Sequence, residues 1–392
     1  MSIKEEIVNL KEELIQLRRD FHSHPELGFK EVRTSRIVEE YLQKLGLEVR
    51  MCAGTGVIGI LTGAKEGKTI LLRCDIDALP VEENTGLEFS SQNNGVMHAC
   101  GHDGHTSMMM IAAKILSNHR EDICGKIVFL FQPNEEDAGA EEMIKQGALQ
   151  NPVPDAVCGL HIWSYIPTGT IGIIPGPIMA SSYYFKVTIT GRGGHGGAPH
   201  KTISPIDTAG HVLAAINSYH TYEQDSLKPT VISVGKIHSG QKEIIVPDIL
   251  EMEGSIRCLH EDDEAVRKRF CEIVEGTCKA HRCECKIEFV CGNTLLNNDE
   301  SMTRLVMDCA EKVVGRENIL TKNISVMLGD DFAEFSRRIP GAYYFLGTGN
   351  EEKHTTYEHH NCKFNIDEDS LAIGVEMHVK SALSYLGVKI DE

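Results

Sequence analysis

Hydrophobic residues near the start of the chain recur at steps of three and four, which is the period of an α-helix with one buried face. The positions in this stripe are Ile3, Ile7, Leu10, Leu14 and Leu17. Ser2 and Glu5 stand in front of the stripe at the spacing of a capping box. A second helical pattern covers residues 31–45 and ends at Gly46, a residue suited to a left-handed cap. The pattern therefore predicts two amphipathic helices at the start.

Short hydrophobic runs follow, and helical patterns separate them. The predicted strands are residues 57–61, 69–73, 126–131 and 156–161. A helical pattern over residues 106–116 lies between the second strand and the third. Strands that alternate with helices are typical of a layered α/β domain with a largely parallel sheet. Ligands of such sheets bind beyond the carboxyl ends of the strands, so polar residues there are the first candidates for a site.

The pattern changes after the fourth strand, where residues 184–190 alternate like a half-exposed strand. The later elements are a helix over residues 204–216, strands near 230–234 and 250–257, a helix over 262–281 and a strand over 282–290. The order strand, helix, strand, strand, helix, strand is that of a split βαβ, or ferredoxin-like, module. We therefore expect residues 182–293 to form a domain inserted into an α/β domain made of residues 1–181 and 294–392.

Composition and charge narrow the classes of function. The chain has 392 residues, and 39 lysines and arginines against 57 aspartates and glutamates give a formal net charge of −18. Such a charge repels nucleic-acid phosphates and anionic lipid, so neither nucleic acid nor membrane is expected as a partner. The N-terminal residues lack the pattern of a signal peptide. Thirteen cysteines without the spacing of a disulfide framework indicate reduced thiols, and so a cytoplasmic protein.

The densest group of potential metal ligands lies at residues 98–105. It contains three histidines together with Cys100 and Asp103. Thiolate and imidazole together suit zinc or a related divalent ion. Gly101 and Gly104 allow the backbone to fold these side chains inward. A helix start capped by Asp103, with the histidines on the surface, would explain the same residues.

Further polar residues stand at the ends of predicted strands. Asp75, the adjacent Glu135 and Glu136, and His161 each lie at or just beyond the carboxyl end of a predicted strand. Of two adjacent carboxylates, one can bind a metal while its neighbour transfers a proton. Taken singly, the glutamate pair suits a helix N-terminus and the histidine suits a structural role. Their common position at one edge of the sheet favours a site.

Five segments, in the same order along the chain, carry a family resemblance. They are residues 18–29, 75–80, 98–106, 131–136 and 193–195. These segments resemble the M20 family of metallopeptidases, in the amidohydrolase branch that includes hippurate hydrolases, N-acyl-amino-acid deacylases and auxin-conjugate hydrolases. The resemblance implies a di-metal catalytic α/β domain with an inserted lid domain. Lid domains of this kind often pair, which suggests a homodimer through the lid.

The resemblance also implies roles for individual residues. The positions that match the family's metal ligands are Cys100, His102, Glu136, His161 and His360. Glu135 matches the general base, and Asp75 lies where the family has a carboxylate near the metals. In the lid, His195 matches a donor to the tetrahedral oxyanion, and Arg257 matches a residue that binds the substrate's free carboxylate. The implied cofactor is two divalent ions, namely zinc, manganese, cobalt or nickel.

Two other patterns suggest different chemistry. Residues 191–196 satisfy Gly-x-Gly-x-x-Gly after a strand, but a dinucleotide-binding turn leads directly into a helix, and here residues 198–200 intervene. A separate structural zinc site is an alternative for the cysteine-rich segment Cys278, His281, Cys283, Cys285 and Cys291. The alternation over residues 282–289 favours instead a strand whose buried face carries cysteines as small hydrophobic residues.

The sequence therefore predicts a metal-dependent amidohydrolase that cleaves N-acyl amino acids or small dipeptide-like compounds. A dipeptidase or carboxypeptidase with the same centre is the nearest alternative. A degenerate relative that binds metal or an acylated amino acid without hydrolysis is the non-enzymatic alternative, and Glu135 argues against it. The family's usual Asn, Glu and Pro are replaced by Ile244, Asp330 and Cys362. None of these is a predicted ligand or base, so the departures bear on the substrate rather than on the reaction.

Overall fold

The computed structural model describes residues 2–388 and divides the chain into two compact units. The second unit contains Met179–Leu296 and Val326–Gly329, and the first contains the described residues on either side of these segments. The boundaries expected from the sequence, residues 182 and 293, lie just inside the longer segment. The return of Val326–Gly329 to the second unit has no counterpart in the sequence pattern.

Helices and strands alternate along much of the described chain. The helices are α1 (Ile3–Ser23), α2 (Val32–Lys44), α3 (His102–Asn118), α4 (Ala140–Lys145), α5 (Pro205–Tyr222), α6 (Asp263–Ala280), α7 (Glu300–Val314), α8 (Ala333–Ser336) and α9 (Leu371–Tyr385). The strands are β1 (Glu48–Cys52), β2 (Gly56–Thr62), β3 (Lys65–Asp75), β4 (Cys124–Gln132), β5 (Ala156–Pro167), β6 (Ile171–Gly172), β7 (Gly176–Met179), β8 (Ser181–Thr190), β9 (Gly194–His195), β10 (Thr230–Ser239), β11 (Ile245–Val246), β12 (Ile249–Cys258), β13 (Glu284–Cys291), β14 (Leu296–Asn298), β15 (Ile319–Leu320) and β16 (Gly341–Gly349). The prediction of an α/β fold is confirmed.

Eight strands of the first unit form one sheet, in the order β1-β2-β4-β3-β5-β16-β6-β15. The central strands β4, β3, β5 and β16 are parallel to one another. The pairs β1–β2, β2–β4 and β6–β16 are antiparallel, and β6–β15 is parallel. Four of the seven neighbouring pairs are therefore parallel, in a sheet that is mixed. Only three residues join β1 to β2, and Ala53 and Gly54 among them have positive φ. A turn this short can connect only antiparallel strands, because a parallel pair needs a long crossover.

The helices of the first unit bury the apolar stripes that the sequence predicts. α1 begins with the capping box of Ser2 and Glu5, and Ile3, Ile7 and Leu14 on one of its faces are buried. α1 packs against α3 and α9, and both of these also contact β3. α3 is buried along nearly its whole length, as expected of a helix surrounded by other elements. Burying a side chain such as Leu14 stabilises the fold by about 1.5–3 kcal/mol.

The second unit contains one antiparallel four-stranded sheet, in the order β10-β12-β8-β13. Phe185, Val187 and Ile189 alternate along β8 and face the core, where residues of α5 and α6 pack on them. Alternate residues of β8 on the other face are more exposed. This alternation is the reason that the strand could be predicted from the sequence. The short strands β9 and β11 form a separate pair.

Two findings concern the cysteines and the membrane. The cysteines between residues 278 and 291 form no group with metal-binding geometry within residues 2–388, and Cys278 and Cys283 are buried. None of the helices in the described part of the chain combines the length and the apolar character needed to cross a bilayer.

Candidate metal centre

The register of the central strands brings polar residues from distant parts of the sequence together. In the parallel pair β3–β4, Asp75 lies opposite Gln132. The segments that follow these two strands therefore leave the sheet side by side. The backbone N–H of Glu136 donates a hydrogen bond to Asp77 Oδ2 at 3.2 Å. This is the edge of the sheet where ligands of α/β folds bind.

Cys100, His102 and Glu136 form the first group of potential metal ligands. One ligand atom from each residue lies within 4.8 Å of the other two. Gly101 has a φ of 90°, a left-handed conformation that favours glycine, and it turns the chain sharply into α3. His102 Nδ1 donates to the backbone oxygen of Asp77 at 2.9 Å. The other ring nitrogen, Nε2, is then left free to bind a metal.

Cys100, His161 and His359 form a second group, which uses the same sulfur atom as the first. This Sγ lies 3.5 Å from His161 Nε2 and 3.7 Å from His359 Nδ1. His161 Nδ1 donates to the backbone oxygen of Ile162 at 2.6 Å, which directs the lone pair of Nε2 toward the sulfur. One thiol therefore serves two groups, an arrangement that suits a pair of closely spaced ions.

The adjacent histidines His359 and His360 lie beside different groups of potential ligands. His359 joins the second group, a role for which the sequence pattern offers no signal except its position next to His360. His360 Nε2 lies 3.3 Å from Glu136 Oε1, beside the first group. In extended backbone, adjacent side chains point in opposite directions. His360 has a φ of 65°, so the backbone here is not extended, and the two side chains need not point in opposite directions.

The chemistry of these side chains fits a divalent metal. His102 Nε2, the ring nitrogen left free to bind a metal, is buried and has no hydrogen-bond partner among residues 2–388. Burial and the neighbouring histidines lower the pKa of His161 well below its usual range, and that of His359 to about 3, so both rings are neutral with a free lone pair. Burial and nearby glutamates raise the pKa of Cys100. A thiolate therefore requires a compensating cation at this position.

Glu135 lies in a buried group of three carboxylates with Asp330 and Asp331. Burial, together with the charges of Asp330 and Glu136, raises the pKa of Glu135 well above its ordinary value. Burial also raises the pKa of Asp331 to about 7, although Arg73 donates to its Oδ1 at 2.8 Å. A carboxylate with a raised pKa is a stronger base, which is the property that a general base needs near neutral pH. The sequence pattern gives no signal for this group, because Asp330 and Asp331 lie almost two hundred residues from Glu135.

Asp75 lies at the end of β3 and is completely buried. Arg73 Nη1 donates to its Oδ2 at 2.7 Å, and its Oδ1 lies 3.7 Å from His102 Nε2. Burial alone would raise the pKa of Asp75, but the nearby His102, His105 and Arg73 hold it well below its ordinary value. Asp75 is therefore a fixed negative charge next to the potential metal ligand His102.

His195 and Arg257 belong to the second unit. His195 ends β9 and is exposed, and its Nδ1 accepts a hydrogen bond from the N–H of Gly197 at 2.9 Å. Its Nε2 then carries the ring proton and can act as a donor. Arg257 lies on β12, where its Nη1 donates to the backbone oxygen of Met327 at 2.9 Å. Both side chains therefore present donors suited to an anionic oxygen.

The chain is similar in sequence to known peptidases and amidohydrolases, and in structure to a known peptidase. Residues 71–384 match the model of peptidase family M20/M25/M40. The thermostable carboxypeptidase 1 of Saccharolobus solfataricus is 41% identical over 98% of both chains. An N-acyl-L-amino acid amidohydrolase of Geobacillus stearothermophilus is 40% identical over 77% of this chain and 82% of its own. A solved structure, Bacillus subtilis YXEP, is described as a dinuclear metal binding peptidase from the M20 family. It has a TM-score of 0.85 and 30% identity, over 97% of this chain and 99% of its own.

Proposed function

Because the chain belongs to peptidase family M20/M25/M40 and is a metal-binding hydrolase of amide bonds, we propose that it cleaves N-acyl amino acids. The products are a carboxylate and a free amino acid. The observation that carries this proposal is Glu135, a buried carboxylate with a raised pKa next to the proposed metal ligand Glu136. A site that only bound a metal or a ligand would have no need of an uncoordinated base at this position. Glu135 therefore supports an enzyme rather than a binding protein.

We propose two divalent ions, one in each group that contains Cys100. Cys100, His102 and Glu136 hold the first, with His360 beside Glu136, and Cys100, His161 and His359 hold the second. When bound, such ions lower the pKa of water from about 15.7 toward ~7 and polarise the scissile carbonyl. A set of thiolate and imidazole ligands favours zinc, while manganese, cobalt and nickel are also accepted by imidazole and carboxylate.

Glu135 is the proton carrier of the reaction. It accepts one proton as the water oxygen adds to the amide carbonyl carbon, and it delivers that proton to the amide nitrogen as the C–N bond breaks. The raised pKa of Glu135 makes it able both to take the proton and to hold it until the amine departs. The acyl group leaves as a carboxylic acid, which passes its remaining proton through solvent to the free amine. The products are then a carboxylate and an ammonium group, so atoms and charge balance over the cycle.

The roles of His195 and Arg257 remain predictions. His195 would donate from Nε2 to the oxyanion of the tetrahedral intermediate, and such a donor typically contributes about 3–4 kcal/mol. Arg257 would bind the free carboxylate of the amino acid through charge-assisted hydrogen bonds. Ile244, which is half-exposed, offers no polar contact of its side chain to the substrate.

A dipeptidase or carboxypeptidase would use the same residues and is the second candidate. The 41% identical relative is named a carboxypeptidase, and the 40% identical relative is named an amidohydrolase. Both kinds of substrate end in a free carboxylate, so Arg257 serves either. They differ in the group on the other side of the amide, which is an uncharged acyl group in one and an aminoacyl group with a cationic amine in the other.

A matched panel of substrates tests the proposal. Acetyl-, benzoyl- and aminoacyl-methionine are incubated with the protein loaded with zinc, manganese, cobalt or nickel, with a chelator as control. We expect the acyl compounds to be cleaved with a kcat/KM at least about tenfold above that of the dipeptide. Faster cleavage of the dipeptide identifies a peptidase instead. No metal-dependent cleavage of any amide contradicts the hydrolytic assignment itself.

Two further predictions concern the cellular location and the oligomeric state of the protein. The cysteine content favours a cytoplasmic protein, since reduced thiols persist there. The second unit would carry a homodimer contact, which sedimentation of the full chain can measure. Neither prediction affects the reaction proposed above.

A further inference from the structure

The second unit contains a cluster of potential metal ligands that shares no residue with the groups described above. We propose that Asp207, His211 and His281 form a surface site for a transition-metal ion such as Zn²⁺. One ligand atom from each of the three lies within 4.8 Å of the other two. This site is independent of the proposed amide hydrolysis, because none of its residues has a role in that reaction.

Two packed helices hold the three residues in place. Asp207 and His211 lie one turn apart on α5, so their side chains occupy the same face of the helix. His281 is the C-cap residue of α6, the helix that packs against α5. Its Nδ1 lies 3.6 Å from Asp207 Oδ2. Its ring centroid lies 4.3 Å from that of His211, with 30° between the ring planes.

The separation of His281 and Asp207 agrees with the spacing of ligands around one ion. Ligand atoms bound to zinc at ~2.0–2.1 Å in tetrahedral geometry are about 3.4 Å apart. The observed 3.6 Å between His281 and Asp207 is close to this value. Two imidazoles and one carboxylate leave a fourth position for water. The carbonyl end of α6, where His281 lies, also carries a partial negative charge that favours a cation.

Ordinary surface interactions explain only part of the cluster. Asp207 lies in the first turn of α5, where an acid is favoured by the helix dipole. An exposed pair between Asp207 and His281 would contribute at most about 1 kcal/mol. Neither effect involves His211, whose ring lies against that of His281 at a centroid distance of 4.3 Å. A metal ion, in contrast, uses neutral imidazoles and a carboxylate together.

Zinc titration of the full chain tests the site. Calorimetry and metal analysis would compare the wild type with His211→Ala and His281→Gln. His220→Ala is the matched control, because His220 also lies on α5 but is hydrogen-bonded to Gln224 at 2.7 Å. We expect the wild type and the control to bind one more equivalent of Zn²⁺ than either variant, or to bind the last equivalent at least about tenfold more tightly. Zinc should also raise the Tm less in the variants.

Equal zinc content and affinity in the wild type and in both variants would overturn the proposal. Asp207 and His211 are exposed and His281 is partly exposed, so substitution should leave the circular dichroism and the hydrolysis of amides unchanged. A variant that loses zinc and also loses hydrolysis would show that the missing ion belongs to the groups around Cys100, which overturns the proposal as well. Asp207→Asn provides a third variant with the same expected result.

Discussion

His105 Nδ1 donates a hydrogen bond to Asp75 Oδ1 at 2.6 Å. The direction of this bond follows from the other ring nitrogen, since His105 Nε2 accepts from the backbone N–H of Ile162 at 2.8 Å. The imidazole is therefore neutral, with its proton on Nδ1. Asp75 keeps its negative charge, which also pairs with Arg73.

Replacing this buried charge should destabilise the fold. We expect Asp75→Asn to lower the free energy of unfolding of the metal-free protein by about 3 kcal/mol, because Arg73 loses one of its buried partners. This loss of free energy is at the lower end of what breaking a buried ion pair usually costs, since Asp331 still pairs with Arg73. Urea unfolding measures the effect. Glu66→Gln, an exposed position on the same strand, is the control, and a change below about 1 kcal/mol in Asp75→Asn would contradict the prediction.

Removing the base should separate metal binding from turnover. Glu135→Gln is expected to keep the metal content of the wild type and to lower kcat by about 10²- to 10⁴-fold, because only the proton carrier is lost. Metal analysis and initial rates measure the two effects. Asp137→Asn changes an exposed acid two residues away and should retain activity. Turnover of Glu135→Gln near that of the wild type would refute the assignment.

The paired histidines can be tested one at a time. His359→Ala and His360→Ala should each weaken metal binding by at least about tenfold, since each side chain lies beside a different ligand group. Metal content after dialysis against a weak chelator is the measurement. His354→Asn changes an exposed histidine of the same segment and should have no effect. An unchanged content in either alanine variant excludes that residue as a ligand.

Arg257 should affect recognition of the substrate's carboxylate. Arg257→Ala is expected to raise KM for substrates with a free carboxylate by roughly 10- to 100-fold, which corresponds to the loss of one charged hydrogen-bonding partner. Substrates whose carboxylate is replaced by an amide should be affected little. Lys236→Ala, an exposed cation of the neighbouring strand, is the control. Equal effects on both substrate types would show that the side chain has only a structural role.

The carboxylate of Glu83 should make the free energy of unfolding decrease at acid pH. Its Oε1 lies 3.2 Å from His22 Nε2. Burial opposes the charged form, but hydrogen bonds from His22, Thr85 and the N–H of Ser91 lower the pKa of Glu83 from 4.5 to about 2. The folded pKa lies below the unfolded one, so the stabilisation is complete above the unfolded value and is lost as the pH falls toward the folded value.

Urea unfolding of the metal-free protein at several pH values checks this expectation. The wild type should exceed Glu83→Gln in free energy of unfolding by a constant amount above about pH 5, and the difference should vanish toward about pH 2. Glu88→Gln changes an exposed acid of the same loop and should follow the wild type. A difference that does not depend on pH would contradict the assignment to Glu83.

The parts of the fold that could be predicted are those whose signal is local. The stripe from Ile3 to Leu17 and the alternation of Phe185, Val187 and Ile189 each lie within one element, so burial on one face appears directly in the sequence. The antiparallel pairs β1–β2, β2–β4 and β6–β16 of the large sheet were not expected. Their direction depends on the turn after β1 and on pairing between strands far apart in the chain. Neither can be predicted from the spacing of hydrophobic residues.

The site shows the same division. Cys100, His102, Glu136 and His161 could be singled out because each lies at or near the end of a predicted element, and the structure places Cys100 in contact range of the other three. The group of Glu135 with Asp330 and Asp331 depends on chain segments far apart in sequence. The group of His359 with Cys100 and His161 likewise joins segments far apart in the chain. These relationships exist only after folding.

The sulfur of Cys100 belongs to both groups of potential ligands, so the proposed enzyme would be vulnerable at a single atom. Oxidation to a sulfinic acid, or capping by an alkylating reagent, would remove a ligand from both ions at once. Inactivation by such reagents should therefore follow a single exponential and release both metals together, and prior loading with metal should protect the thiol.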